Sequence, residues 1–294
     1  MNAELRIDAR CELGEGAVWD AARARLWWTD IDGRAIWRFD PVTKATETFT
    51  PPDRTGFLAP CASGTVLLGC AKALYLAEIA GSSLTATKIA DVEPDLPSTR
   101  VNDGRADRSG NVVFGTLDEQ SPRQPIAGFY QYSTAHGLRR LDLPNCRVSN
   151  SICFSPDGRT IYFADTPTNV IRRGDYDAAA AAVTNLRDFV ALGAGDGHPD
   201  GSIVDADGYL WNAAWGGGIV RRFTPDGRLD RAVTVPAKNT TCPAFGGADL
   251  ATLYVTSSRQ QHTADELARA PQAGGVFAAD VPGVRGLADT LVRI

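Results

Sequence analysis

The sequence predicts an all-β protein folded as a six-bladed β-propeller. One polar residue recurs at the start of successive β repeats, and we call each such residue a polar head. The heads Asn102, Asn150 and Asp200 follow one another at intervals of 48 and 50 residues. Each head precedes a brief apolar stretch, an Asp-containing turn and a bulky apolar pair. A period of this size with several short strands is typical of a propeller. Six copies of about 49 residues account for all 294 residues, so we predict one domain, residues 1–294.

The repeats can be followed in order along the chain. The first, from residue 14, contains three apolar strand segments and ends near Pro41. The second, residues 56–80, is less regular and lacks the polar head; Glu15 lies 87 residues before Asn102, which leaves room for one such repeat. The next three begin near residues 102, 149 and 199, and we expect Phe245 to open the sixth.

Helix is scarce, and the ring needs a strand to close it. Thr263 and Glu266 stand at capping-box spacing and Pro271 follows, which predicts one short helix. We expect a strand around residues 5–10 to join the last blade, because closure removes the exposed sheet edges of an open array.

Composition and charge exclude several functional classes. A formal net charge of -5 without a Lys/Arg block argues against a nucleic-acid partner. No segment approaches the roughly 20 apolar residues of a membrane helix. The amino terminus carries charges where a signal peptide has its apolar core, so we expect a cytoplasmic protein. The six cysteines show no CxxC pair and are expected to be reduced and buried.

Four polar heads are predicted to occupy equivalent positions in their blades: Glu15, Asn102, Asn150 and Asp200. Equivalent positions in radially repeated blades lie on a ring around the central axis. A carboxylate buried there costs several kcal/mol unless it is paired or bound to metal. Glu15 and Asp200 therefore need a cation, and a hard divalent ion with two carboxylates, an amide oxygen and waters satisfies them. The sequence thus predicts a metal site on the axis.

Six segments carry a resemblance to a known family. They are LGEGAVWD (13–20), FLAP (57–60), RVNDG (100–104), SNSICFSPDGRTIYFAD (149–165), PDGSIVDADGYLWNAAWGGGIVRRFTPDG (199–227) and FGGADLATLYVTS (245–257). Together they resemble the SMP-30/gluconolactonase family, which includes regucalcin and the bacterial sugar-acid lactonases. PDGS and AAWGGG are most similar to bacterial pentonolactonases such as xylonolactonase. The resemblance implies a hydrolase that opens a sugar aldonolactone, either a pentonolactone or gluconolactone, to the aldonic acid.

The resemblance also implies roles for individual residues. Glu15, Asn150 and Asp200 would hold one divalent metal ion, whether Ca, Zn, Mg, Mn or Fe. Arg100 and Asn102 would bind the hydroxyls or the carbonyl side of the substrate.

An acidic substrate-binding residue often follows the Gly-Thr pair of the third repeat in this family. The segment here reads Gly115-Thr-Leu-Asp-Glu-Gln120, and ungapped register puts Gln120 at that address with Glu119 beside it. We take Glu119 as the substrate-binding residue and keep Asp118 and Gln120 as alternatives.

Asp200 is the predicted catalytic residue. A metal ion with only three protein ligands has open positions where a lactone carbonyl can be polarised. Asp200 would accept a proton from the attacking water, unless the metal itself generates hydroxide. Sequence leaves both routes open.

Two other functional classes stay open at this point. One is a non-catalytic, calcium-binding protein of the regucalcin type, and the other is a propeller esterase or phosphotriesterase. A propeller esterase or phosphotriesterase requires an apolar entrance to its active site, whereas Arg100, Asn102 and residues 118–120 predict a polar entrance. The expected partner is therefore a small-molecule sugar lactone, bound by a monomer or weak dimer.

Overall fold

Six antiparallel sheets of four strands each make up the molecule in the computed structural model, which describes residues 1–294. Five sheets are meanders of four consecutive strands, and the sixth combines three late strands with the first strand of the chain. The innermost strand of each blade contacts the innermost strands of both neighbours, so these six strands surround a central channel. The predicted six-bladed propeller is confirmed.

The strands are numbered in chain order. The first thirteen are β1 (Glu4–Ile7), β2 (Gly14–Asp20), β3 (Arg25–Asp30), β4 (Ala35–Phe39), β5 (Thr46–Phe49), β6 (Thr55–Pro60), β7 (Val66–Cys70), β8 (Ala73–Ala80), β9 (Ser83–Asp91), β10 (Thr99–Ala106), β11 (Val112–Asp118), β12 (Phe129–Ser133) and β13 (Gly137–Arg140). The others are β14 (Ser149–Phe154), β15 (Thr160–Asp165), β16 (Val170–Asp177), β17 (Ala182–Ala191), β18 (His198–Val204), β19 (Leu210–Trp215), β20 (Ile219–Phe223), β21 (Leu229–Thr234), β22 (Asn239–Gly246), β23 (Thr252–Ser258) and β24 (Val276–Asp280). Blades 1 to 5 are β2–β5, β6–β9, β10–β13, β14–β17 and β18–β21, and blade 6 is β22–β24 with β1. The inner strands are β2, β6, β10, β14, β18 and β22.

The hydrophobic core consists of six clusters, one between each pair of neighbouring blades. Successive side chains of a strand point to opposite faces. Trp27 of β3 therefore packs with Leu68 of blade 2, while Trp28 packs with Tyr254 of blade 6. Because both faces of every sheet are covered, the bulky apolar pairs of the sequence are buried on both sides.

The amino-terminal strand closes the ring, as predicted. β1 pairs with β24 in antiparallel orientation, with Leu5 opposite Phe277. The strand ends at Ile7, before the predicted Arg10, whose φ of 51° lies outside the extended region. Closure leaves no blade with an incomplete sheet.

Blade 6 begins earlier than predicted, whereas the helix lies where it was expected. The inner strand β22 starts at Asn239 rather than near Phe245. In the sequence, this strand has no carboxylate or amide side chain at the position that the polar heads occupy in other blades. Helix α1 (Ala264–Arg269) has a capping box in which Thr263 and Glu266 bond reciprocally. The other helix is a 3-10 turn (Thr166–Thr168), and neither has the length or apolarity to cross a membrane.

The carboxy-terminal segment, residues 285–294, crosses one end of the channel. We call this the lower end, and the end at which the inner strands begin the upper end. The segment forms backbone hydrogen bonds with blades 5, 2 and 3, at Ala206, Pro60 and Gly110. Asp289 lies between these contacts and pairs with Arg105 of β10, with 2.6 Å between Oδ1 and Nη1.

Candidate functional site

A polar cavity of about 330 Å³ lies at the upper end of the channel. Its lining residues come from the inner strands and from the loops above them: Leu13, Glu15, Arg100, Asn102, Leu117, Arg123, Val148, Asn150, Thr166, Pro167, His198, Asp200, Trp215, Gln260 and Gln261. Five of the six predicted site residues are therefore brought together. Glu119 is the one that does not line the cavity.

A β-bulge near the start of each inner strand places the polar heads. Glu15 and Asn150 are the last paired residues before their bulges, whereas Asn102 and Asp200 are the first residues inside theirs. The heads thus occupy two adjacent positions instead of the single position predicted. A bulge interrupts the strict alternation of a strand, so residues at both positions face the channel.

Blades 2 and 6 contribute no polar head to the cavity, for steric and hydrogen-bonding reasons. A Cβ atom on Gly56 of blade 2 would lie 2.2 Å from the carbonyl oxygen of Asn102, so this strand position admits no side chain. Thr241 of blade 6 donates its hydroxyl to the carbonyl of Gly14. The ring of four heads is complete without these two blades.

Two carboxylates meet at the base of the cavity without a cation. Glu15 and Asp200 lie within hydrogen-bonding reach of each other, and neither forms an ion pair with lysine or arginine. Burial and the nearby Asp103 charge raise the pKa of Glu15 to about 8. Burial, and then the charge of Glu15, raise the pKa of Asp200 well above its usual range. These groups need a proton or a metal ion to be stable where they are.

The donor atoms at this point fit a hard divalent cation. The amide of Asn150 adds a third oxygen to the two carboxylates, and its Nδ2 donates to the hydroxyl of Thr166 over 2.9 Å. No three His, Cys, Asp or Glu side chains converge anywhere in the molecule, so the third donor here is an amide. An all-oxygen set with two negative charges suits calcium, magnesium or manganese better than a soft ion.

A chain of hydrogen bonds orients the amides of the ring. Arg100 Nη1 donates to Asn102 Oδ1 over 2.8 Å, and Asn102 Nδ2 donates to Asn150 Oδ1 over 3.1 Å. The hydroxyl of Thr166 continues the chain by donating to the carbonyl of Pro199. The oxygen of Asn150 therefore faces the ring in a determined orientation.

Glu119 lies one layer behind the cavity wall. Both of its carboxylate oxygens accept from Arg54 over 2.7 Å, and Arg100 Nε lies 3.4 Å away. The two alternatives do not line the cavity either. Asp118 is buried and accepts from backbone amides of its own loop, and Gln120 donates to Ser98. Glu119 therefore contacts the cavity-lining Arg100 but does not face the cavity itself.

Besides Thr166, sequence reasoning missed five polar or aromatic residues of the wall: Arg123, His198, Trp215, Gln260 and Gln261. One of them had a signal. His198 precedes Asp200 by two residues, as Arg100 precedes Asn102, and its Nδ1 lies 2.6 Å from Asn169 Oδ1. The other four lie in loops or at a strand end, where no repeat pattern applies.

Known proteins resemble this chain over nearly its whole length. Residues 13–259 match the SMP-30/gluconolactonase/LRE-like region family. An L-arabinolactonase from Azospirillum brasilense is 44% identical over 279 residues, or 94% of this chain and 91% of that protein. A 6-deoxy-6-sulfogluconolactonase from Pseudomonas putida is 35% identical over 289 residues, or 96% and 97%.

A solved structure supports the same comparison. The crystal structure of a calcium-binding protein, regucalcin, from Agrobacterium tumefaciens superposes with a TM-score of 0.92 at 33% identity, covering 100% of this chain and 98% of that one. The segment matched by the family contains every polar head of the ring and ends before the carboxy-terminal segment.

Proposed function

The chain belongs to the SMP-30/gluconolactonase/LRE-like family, and from this premise we propose a metal-dependent lactonase that opens a sugar lactone to its aldonic acid. The carrying observation is the pair of contacting carboxylates, Glu15 and Asp200, which lies uncompensated at the base of a polar cavity. Relatives named as lactonases support the reaction, and the one named L-arabinolactonase supports a pentonolactone as the preferred substrate.

Glu15, Asp200 and Asn150 would hold the ion. When bound there, a divalent cation would supply Lewis acidity for the lactone carbonyl and would acidify a water molecule. Calcium, magnesium, manganese, iron and zinc are the candidates, and the all-oxygen donor set favours the harder ions. The regucalcin from Agrobacterium tumefaciens, described as calcium-binding, supports an ion of this kind.

Asp200 would receive the proton of the attacking water. It lies inside a bulge and lines the cavity, where one of its oxygens would hold the ion and the other would be open to the water. Hydroxide generation without this base is the alternative route. The two routes differ in what Asp200→Asn does to turnover when metal content is held constant.

Arg100 and Asn102 orient the substrate from the side of blade 3. The contacts of the Arg100 guanidinium with Val101, Asn102 and Glu119 are made by Nη1 and Nε. The Nη2 group makes no hydrogen bond within the protein. This free group can donate to the carbonyl side of the lactone and stabilise developing negative charge. Arg54 and Glu119 hold Arg100 in place from behind.

The cavity favours a single sugar ring over an apolar ester. Its volume of about 330 Å³ is at the small end of ligand pockets. Only Leu13, Leu117, Val148, Pro167 and Trp215 are apolar or aromatic among its lining residues. A polyhydroxylated aldonolactone satisfies the remaining polar groups, whereas an aryl ester or phosphotriester would leave them unpaired.

Metal analysis with a lactone panel tests the proposal. Purified protein should contain one divalent ion per chain, and a strong chelator should abolish acid release from pentonolactones and gluconolactone. Adding back calcium, magnesium or manganese should restore it, and an aryl ester should be a poor substrate throughout. Full activity after complete chelation would contradict the metal assignment. Bound calcium with no turnover of any lactone would favour the calcium-binding alternative.

A further inference from the structure

We propose that Arg123 is a specificity-determining residue that binds hydroxyl groups on the polyol part of the substrate. The inference rests on the proposed lactonase function and adds a residue to that site. Arg123 lies in the loop between β11 and β12 and lines the cavity with Glu15, Asn102 and Asp200.

The guanidinium of Arg123 is free to bind a ligand. Its Nε donates to the carbonyl oxygen of Asp118 over 2.9 Å. Neither Nη group makes a hydrogen bond, and no carboxylate lies within ion-pair distance. Arg123 thus lines the cavity with four N–H donors that have no partner within the protein.

Arg100, the other arginine of the cavity, differs because most of its guanidinium donors already have partners within the protein. It is buried, its Nη1 donates to Val101 and Asn102, and its Nε faces Glu119. Most of its donors hold the ring in place, which leaves only Nη2 for a ligand. Of the two guanidinium groups, Arg123 has the larger capacity for new hydrogen bonds.

The loop that carries Arg123 is held in place before any ligand binds. The buried carboxylate of Asp118 accepts the backbone N–H of Gln120 over 3.2 Å and that of Gln124 over 2.7 Å. Burial acts to raise the pKa of Asp118, but these hydrogen bonds lower it overall, so the carboxylate that holds the loop is ionised. Ordering the loop in advance reduces the entropy that binding would otherwise cost.

Position in the ring says which part of the substrate Arg123 meets. Glu15, Asn150 and Asp200 lie in the inner strands, whereas Arg123 lies beyond the end of β11 in the loop above them. Blade 6, which carries Gln260 and Gln261, is opposite blade 3 in a six-membered ring. A lactone whose carbonyl reaches the inner strands therefore extends its polyol part between the Arg123 loop of blade 3 and the glutamines of blade 6.

Hydroxyl groups suit this arginine better than an anionic substituent. Arg123 is a single cation, and the proposed aldonolactone is neutral, so the substrate offers it hydroxyl groups and no anion. Charge-assisted hydrogen bonds to vicinal hydroxyls use the fork geometry and do not depend on a second cation.

Kinetics on two matched lactones test the inference. Arg123→Gln should raise KM for a pentonolactone about tenfold with little change in kcat, because hydrogen bonds to a charged group are lost. The same variant should leave kcat/KM unchanged for the unsubstituted butyrolactone, which has the ring ester and no hydroxyls. Arg123→Lys should fall between wild type and Arg123→Gln, and metal content should be unaffected.

Arg34→Gln is the control. Arg34 occupies the corresponding loop of blade 1, between β3 and β4, but its side chain is 62% exposed, lies 3.7 Å from Asp53 and does not line the cavity. It should leave both lactones unaffected.

Calorimetric binding of a neutral anhydropentitol, which has the hydroxyls and no carbonyl, tests the contact without turnover. Its Kd should weaken about tenfold in Arg123→Gln. No binding to wild type, or equal binding to both proteins, would overturn the inference, as would equal kinetic losses on both lactones. A loss confined to a carboxylate-bearing lactone would assign Arg123 to anion binding instead. Inactivity of wild type on every lactone would contradict the proposed function, and the calorimetric result would still decide the role of Arg123.

Discussion

The two ends of the channel hold buried charge in opposite ways. At the lower end, Arg105 is paired with Asp289 of the carboxy-terminal segment over 2.6 Å, and both side chains are mostly buried, with 12% and 18% exposed. At the upper end, Glu15 and Asp200 face each other, and neither forms an ion pair with a cation of the chain. One end is neutralised within the protein and the other is not.

The difference separates a structural charge from a functional one. Strand β10 contributes to both ends of the channel, because Asn102 lies at the cavity and Arg105 lies at the lower end. A buried charge without a partner costs several kcal/mol, so such a group must take up a proton or gain a counter-charge from outside. We therefore expect a ligand to bind at the upper end and the lower end to contribute to stability alone.

The largest expected effect is that of Asp200→Asn at the upper end. It should lower kcat/KM at least about 100-fold, since it removes the proposed base and a negative metal ligand. In the chelated protein, however, the free energy of unfolding should rise, because folding no longer requires the Asp200 carboxylate to be buried or protonated. Steady-state assays and urea unfolding in chelator measure the two effects. A variant that lost stability along with activity would mean that Asp200 is paired in the metal-free fold.

Asp289→Asn at the lower end should have the reverse signature. It leaves the guanidinium of Arg105 without its partner and should cost about 3 kcal/mol of unfolding free energy. Metal content should stay at the wild-type level because Asp289 is not in the cavity. Asp249→Asn, at an exposed carboxylate without an ion pair, is the matched control and should change stability by less than about 0.5 kcal/mol. Loss of metal in Asp289→Asn would show that the two ends are coupled.

The smallest expected effect is the pH dependence of the metal-free protein. Because burial raises the pKa of Glu15 to about 8, the folded state keeps a proton that the unfolded chain has already lost above about pH 5. Stability should therefore fall as pH rises from 6 to 8, by about 2 kcal/mol for one proton. Bound calcium should remove this dependence, since the ion replaces the proton. Urea unfolding at both pH values, with chelator and with calcium, measures it; parallel profiles would contradict the comparison.

The parts of the molecule that repeat could be predicted from the sequence. Each polar head lies just before or inside a bulge of an inner strand, a local feature that recurs at a regular interval, so Glu15, Asn150 and Asp200 could be placed on one ring before the fold was known. The one-residue offset between heads could not be predicted, because bulge register is decided by pairing with the next strand. Blade 6 was predicted to start late because Thr241 turns its hydroxyl to Gly14 and leaves no polar signature of a site.

The parts that do not repeat could not be predicted. Arg123 lies in a loop whose course depends on Asp118 capping its own backbone, and nothing in the sequence says that this loop reaches the cavity. Asp289 meets Arg105 across 184 positions of the chain, a contact with no local cause. Glu119 was expected at the cavity, yet Arg54 holds it behind Arg100.

Closure of the ring by β1 has a consequence for how the protein is made. A ribosome releases β1 before β24, so blade 6 cannot be completed until residue 280 has emerged. Through most of translation the nascent chain is an open array with a free sheet edge at each end, the condition that favours pairing with neighbouring chains. A product terminated before β24 would retain all four polar heads and still lack the partner that β1 requires.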